Sequence, residues 1–281
     1  MNTHLQDVVD YYNNPESKLG YTFLTWDTKH FGYYPEKRRS ITEKSAQTLM
    51  MDLLAKKLKL SSANLILDAG CGRGTTSCYL ARKYRSSITG IDIVPFEISI
   101  AKRRATQLNL LRKVSFYSRD YSDTKFPANH FDKVFTLETL VHSPNVEKTL
   151  DEFNRILKPG GRLVLFEYSM SLLDEFSMWE REMIEIIIKG SVMTSLPRLG
   201  HDAFTKFIAK AGYRILSDDD ITENVEPSLE RLNNYAIIPY QFIKLFHLQK
   251  HFINTTAGVE FYKLIKKRLI RYRVFVAEKQ V

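Results

Sequence analysis

Cysteine is scarce in this chain: Cys71 and Cys78 are the only two in 281 residues. Two thiols in or just after a glycine turn leave no disulfide framework and no cysteine metal centre. They read as small buried residues of a reducing compartment. Long apolar runs are lacking too, so no segment reaches the length of a membrane span. Residues 1–14 hold no apolar core of a secretory signal, and a cytoplasmic location is expected. Internal repeats and low-complexity linkers are absent. Asp218-Asp219-Asp220 has no glycine or glutamate at calcium-loop spacing. It reads as a solvated turn, and no metal is expected. What remains is one large domain, or one domain with additions.

Charge is plentiful but uneven. The net value is +9. From Tyr240 to Val281 nine Lys or Arg residues face only Glu260 and Glu278, so this segment carries +7. The tract has three readings: an amphipathic cap with a solvated basic face, a surface helix (240–252) on an anionic membrane, or a grip for an acceptor's diphosphate. A nucleic-acid-binding role would use the same charge. Against that role, the basic residues are interleaved with core-like apolar ones and no Asn-Pro-Pro-Tyr motif is present.

The organising stretch is Leu65-Ile66-Leu67-Asp68-Ala69-Gly70-Cys71-Gly72-Arg73-Gly74. Three apolar residues predict a buried strand, and a glycine turn and a helical pattern (75–84) follow. Strand–turn–helix units of this kind bind nucleotides in doubly wound folds. The glycines let a ligand lie close to the backbone. A dinucleotide fingerprint would place its third glycine one residue later. Asp68 before the turn would repel a pyrophosphate and suit a cation. A second strand (87–91) ends in Asp92, placed to accept two ribose hydroxyls. Strands at 114–117, 131–137 and 162–168 and helices at 96–109 and 146–157 continue the alternation, which means a parallel sheet with covered faces. Crossover handedness puts the site at the strands' C-terminal ends.

With Asp68, Asp92, Asp120 and the Leu157-Lys158-Pro159-Gly160-Gly161 turn in that order, residues 60–170 resemble the class I S-adenosylmethionine-dependent methyltransferases. The resemblance implies a Rossmann-like, mostly parallel sheet, with S-adenosyl-L-methionine as cofactor and S-adenosyl-L-homocysteine as product. It marks Asp68, Gly70, Cys71, Gly72, Gly74, Asp92, Ile93, Asp120, Tyr121 and Leu137 as cofactor-binding positions. A Rossmann-like domain for another nucleotide is the alternative. The expected division is an N-terminal helical lid (1–60), a core (61–219), a helical cap insertion (220–268) and a final strand (269–281), at or near a sheet edge.

Residues 4–12 predict a helix broken at Asn13-Asn14-Pro15. An aromatic stretch without a clean period follows (Tyr21, Phe23, Trp26, His30, Phe31, Tyr33, Tyr34) and reads as a lid or substrate wall; the bland alternative is core packing. Ser40-Ile41-Thr42-Glu43 can cap a helix to Leu58. Beyond Tyr168 the pattern predicts helices at 172–189 and 202–211, a strand at 212–216, and two or three helices within 228–267.

Three groups could carry proton chemistry. Glu138 and His142, four residues apart, would share one face of a helical segment at the end of the fourth strand. Glu167 ends the fifth strand, where a carboxylate needs a partner or solvent. Trp26-x-x-x-His30-Phe31, Glu138-Thr139-x-x-His142-Ser143-Pro144, Phe166-Glu167-Tyr168, Ile184-Glu185 with Leu196-Pro197, and Ala211-Gly212-Tyr213 resemble the motif succession of the sterol C-methyltransferases and their prenyl-directed relatives. The departures are Tyr168 where that group has Trp, and Lys189-Gly190-Ser191-Val192-Met193 in place of an acidic Gly-Asp-Gly stretch. The resemblance implies C-methylation of a lipophilic small molecule. Glu138, His142 and Glu167 are then the catalytic candidates, and Tyr21, Trp26, His30, Phe31, Tyr33, Tyr168 and Trp179 the substrate-binding ones. An O- or N-methyltransferase of a small polar or aromatic metabolite is the competing expectation. Membrane contact and self-association stay open.

Overall fold

The alternation of apolar strands and amphipathic helices assembles into a seven-stranded sheet of order β3-β2-β1-β4-β5-β7-β6. The structure, a computed structural model, describes residues 3–23, 28–35 and 40–280, the side chains of 21–23 excepted. Strands β1 (Leu65–Ala69), β2 (Ser87–Asp92), β3 (Val114–Ser118), β4 (Phe131–Leu137) and β5 (Leu157–Met170) run parallel. Strand β7 (Ile270–Lys279) pairs antiparallel with β5 and with β6 (Tyr213–Asp220). The strand order reverses between β1 and β4, and a crevice opens at their C-terminal ends, the usual ligand position in such sheets.

Helices α4 (Thr75–Tyr84), α5 (Pro95–Gln107), α6 (Val146–Ile156) and α8 (Phe204–Lys210) accompany the sheet. Helix α3 (Glu43–Leu58) is capped by Thr42, whose hydroxyl accepts from the Ser45 N–H. Its Met50, Leu54 and Leu58 are buried in the same core as Ile66, Val134 and Leu165 of the sheet. The cap is made of α1 (Thr3–Asn13), α2 (Pro15–Phe23), α7 (Met178–Gly190), α9 (Thr222–Leu245) and α10 (Ile253–Lys266).

The structure meets some expectations and corrects others. The last strand lies near the sheet edge, as expected, with only β6 outside it, and Tyr272, Val274, Phe275 and Val276 are all buried. With both faces covered, it carries apolar residues on both sides. Asp218-Asp219-Asp220 is not a turn but the end of β6. Asp218 accepts from Arg273 and Asp219 from Lys57, so the acids that looked solvated are ion-paired along the true edge. Residues 15–23 form a helix, started by Pro15 at a position where a missing N–H costs nothing. The helix expected from Leu172 begins at Met178, because Ser177 and Glu180 form a reciprocal capping box there. The region 228–267 holds two helices, and the one expected across 240–252 ends at Leu245.

Candidate active site

The first wall of the crevice is built from the turns after β1 to β4. Gly70 takes φ +86° and its N–H donates to Ile91 O at 2.8 Å, as does that of Cys71 at 2.9 Å. A Cβ on Gly70 would overlap the Thr139 side chain. The Asp92 carboxylate joins two turns, accepting from the Gly72 N–H and the Val94 N–H, each at 2.9 Å. Asp120 accepts from the Ser122 N–H and hydroxyl. The Tyr121 hydroxyl donates to Thr139 O at 3.1 Å. Asp68 is buried and accepts from Ser77 at 2.5 Å. Burial first, then the charge of Asp92, pushes Asp68 up to about 7.

Asp68, Gly70, Cys71, Gly72, Asp92, Ile93, Asp120, Tyr121 and Leu137 all line this cleft. Gly74 does not. Its φ is +68° and a Cβ there would meet Phe116 and Ala101, so it serves the close packing of α4 rather than a ligand. The donor set suits S-adenosyl-L-methionine. Carboxylates that raise one another's proton affinity are relieved by a cation between them, and glycine turns leave room against the backbone. The cations Lys29 and Arg73 that line the cleft are both ion-paired with Glu97. Lys29 reaches in from the N-terminal segment, with Nζ 3.0 Å from Glu97 and 4.1 Å from the centre of the Tyr12 ring.

The second wall is helical and aromatic. It encloses a cavity of about 310 Å³, lined on its apolar side by Phe31, Val141, Tyr168, Ile187, Met193 and Phe261. Glu138 and His142 lie at the junction, lining both cavities. They do not share a helical face. Glu138 has φ +59°, and the segment turns as a 3-10 helix only over Leu140–His142. Glu138 Oε1 accepts from the Phe31 N–H at 2.9 Å and the Tyr272 hydroxyl at 2.8 Å. Its Oε2 accepts from the Tyr168 hydroxyl at 2.8 Å. Burial pushes this carboxyl up to about 7, against the lowering effect of its three donors. Tyr168 stands edge-on to Tyr272, Phe31 and Phe261, with ring centres 5.2–6.4 Å apart.

His142 has different partners. A carbonyl can only accept, so Nδ1–H donates to Val192 O, and Nε2 then accepts from the Tyr12 hydroxyl at 3.0 Å. Burial lowers its pKa to about 4, so the ring is neutral. Its own carbonyl accepts from His4 Nε2. His142 thus ties α1 to the site. Glu167 is fully buried, and Oε1 accepts from the Thr136 hydroxyl and the Thr139 and Leu140 N–H groups. It holds the turn that presents Glu138 and lines neither cavity.

Among the substrate-binding expectations, His30, Phe31 and Tyr168 line the second cavity. Tyr33 packs against the core instead. Trp179 is partly exposed at the start of α7, beneath Lys244. Trp26 and the Tyr21 side chain lie outside the described residues. Sequence reasoning missed Tyr272, Tyr12 and Lys29. Tyr272 is the register partner of Tyr168, a pairing no local pattern reveals. Lys29 did leave a signal, as a charge amid aromatics. Among the described residues no group of His, Cys, Asp and Glu is placed to hold a metal, and no helix is long and apolar enough to cross a membrane.

Comparison with known proteins adds four findings. Residues 67–165 match the family model described as "Methyltransferase domain". The chain is 32% identical to an S-adenosyl-L-methionine-dependent Diels-Alderase of Talaromyces variabilis, over 90% of this chain and 88% of that protein. It is 29% identical to the sterol 24-C-methyltransferase of Saccharomyces cerevisiae over 61% of this chain but only 44% of the yeast protein. Among solved structures, the geranyl diphosphate C-methyltransferase of Streptomyces coelicolor A3(2) superposes with a TM-score of 0.75 at 17% identity, covering 99% of this chain and 98% of that one. At that identity the likeness is one of fold.

Proposed function

The chain belongs to the S-adenosylmethionine-dependent methyltransferases, and from that premise we propose that it C-methylates an apolar, isoprenoid-like small molecule in the 310 Å³ cavity. The reaction is methyl transfer to an alkene followed by deprotonation. S-adenosyl-L-methionine, when bound, supplies an electrophilic methyl group. Asp68, Asp92 and Asp120 would hold it, with the backbone around Gly70 to Gly72, Ile93, Tyr121 and Leu137.

One observation carries the reading. Glu138 is a carboxylate near neutral pKa, at the junction of the two cavities, among aromatic rings. Methylating an alkene leaves positive charge on the acceptor. The faces of Phe31, Tyr168 and Phe261 are available to stabilise that charge. Each carboxylate oxygen has two acceptor positions, and Oε2 of Glu138 uses one for Tyr168, so it keeps one for the proton the acceptor must lose. A pKa of about 7 matches the working range of a general base. The Phe31, Tyr168 and Tyr272 donors fix its orientation. The rest of the cap aligns the acceptor and excludes water, and His142 serves by anchoring α1 over the cleft.

The test is release of S-adenosyl-L-homocysteine against a panel of prenols, isoprenoid diphosphates and sterols, with the product's methyl carbon located by NMR. A new C–C bond is expected. A methyl on oxygen or nitrogen would replace this reading with an O- or N-methyltransferase. A second reading has its own support: the Talaromyces relative, alike over nearly the whole chain, is called a Diels-Alderase. In that case the cavity would fold a polyene for ring closure, with no methyl transfer and no need for a base.

A further inference from the structure

We propose that the exposed face of the second half of α9, with the turn into α10, docks this protein on an anionic lipid surface beside the mouth of the acceptor cavity. Ile238, Phe242, Leu245 and Phe246 follow helical spacing and stand 63–70% exposed. Phe252 extends them at 43%. The opposite face already has its packing, with Tyr240 and Ile243 buried against Val259 of α10. The exposed stripe is therefore surplus to folding. Contiguous apolar patches of this kind mark interaction sites.

Charge selects the occupant. From Arg231 to Val259 there is no aspartate or glutamate, while Lys244, Lys250, His247 and His251 are all exposed. Lys244 Nζ lies 4.6 Å from the centre of the Trp179 ring at the start of α7. An apolar stripe with lysines and no acids is the pattern of a helix lying in an anionic lipid interface. A second copy fits less well. A two-fold contact would set this acid-free face against itself and bring like charges together. The basic tract thus exposes a face that is apolar as well as basic, unlike a merely solvated cap. Tyr235 and Pro239 sit on this same face and line the cavity, so an acceptor dissolved in lipid would meet the opening directly. The docking face stands on α9 and α10 alone; entry of the acceptor there rests on the function proposed above.

The experiment is flotation of the full chain with phosphatidylcholine vesicles, with and without about one third phosphatidylglycerol, at low and high salt. Binding is expected to the anionic vesicles and to fall with salt. Phe242→Ser with Phe246→Ser should lower the bound-to-free ratio about tenfold or more. Lys244→Gln with Lys250→Gln should lower it about tenfold, on anionic vesicles only. Calorimetric cofactor affinity, unchanged in both variants, shows that they are folded. No flotation, or flotation indifferent to both pairs, would overturn the proposal. So would a dimer in sedimentation that the Phe pair dissolves. Vesicle binding without turnover of any lipophilic acceptor would leave the docking face standing and remove the acceptor reading instead.

Discussion

The two walls of the active-site crevice hold their shape by different means. The strand-end wall is a set of tight turns fixed mostly by nearby backbone: Gly70 and Cys71 bond Ile91, and Asp92 bonds Gly72 and Val94. The cap wall is held by side chains from opposite ends of the chain. Glu16 accepts from the free N–H groups of Asn254 and Thr255 at the start of α10, and Tyr11 donates to Asn254. Tyr12 and His4 bond His142. Turns of the first kind give a ligand a fixed cradle of backbone dipoles. Contacts of the second kind join segments more than a hundred residues apart in the chain. Glu138 belongs to both, since its strand is in the first wall and two of its three donors, Phe31 and Tyr272, reach it from other parts of the chain.

The largest effect should come from that shared residue. Glu138→Gln keeps the shape and removes the proton acceptor, so turnover should drop about 10²- to 10⁴-fold while calorimetry still finds the cofactor. A rate within a few-fold of wild type would favour the pericyclic reading. Next is the strand-end wall. Gly70→Ala places a Cβ at φ +86° against Thr139, and should lose about 2–4 kcal/mol in denaturant unfolding. A loss below about 1 kcal/mol would show that this wall yields more than its geometry implies.

The cap should give way more gently. Glu16→Ala removes a carboxylate that serves a helix N-terminus and should cost about 1–2 kcal/mol. Its clearer readout is faster proteolysis within residues 1–35 in the ligand-free protein, with the sheet still protected from hydrogen exchange. Uniform loss of protection would mean the walls are not separable.

Two smaller effects read the Glu138 environment. Tyr272→Phe deletes a donor that favours the charged carboxylate, so the acidic limb of the kcat/KM profile, expected near pH 7, should move up by about one unit. A purely packing role would leave the limb in place. The stability comparison has the opposite direction from a salt-bridged acid. The folded pKa of about 7 lies above the ordinary carboxylate value of 4.5, so the folded state binds the proton more tightly. The penalty is absent below about pH 4.5, grows as pH rises toward 7 and is constant above. Glu138→Gln should therefore gain stability relative to wild type across that window, measured as the difference in unfolding free energy between pH 4.5 and 8.

Much of the first wall was legible beforehand because its signals are local. Leu65-Ile66-Leu67 with a glycine turn, strand 87–92 ending in Asp92 and helix 75–84 all follow from patterns a few residues long, and their ends fell where expected. Gly74 shows the limit of that legibility. A glycine in the motif can serve the packing of Phe116 and Ala101 as readily as a ligand. The acid run 218–220 was misread because a strand's polar edge and a polar turn have the same composition. Only the partners, Lys57 and Arg273, tell them apart.

Hydrophobic period, glycine turns and strand-terminal acids act over short spans, and from them the doubly wound sheet, the cleft at its strand ends and the cofactor class could be read. Which of two acids faces the second cavity is set by tertiary structure. Glu138 follows the end of β4, whereas Glu167 lies inside the neighbouring β5, which runs on to Met170. One meets Tyr168, Tyr272 and Phe31 at a cavity; the other is sealed beneath a turn by Thr136 and two backbone N–H groups. That choice depends on the β5–β7 register and on the path of the N-terminal segment, which bring together residues more than a hundred positions apart. Contacts at such separations are set by the packing of the whole chain, and no local pattern encodes them.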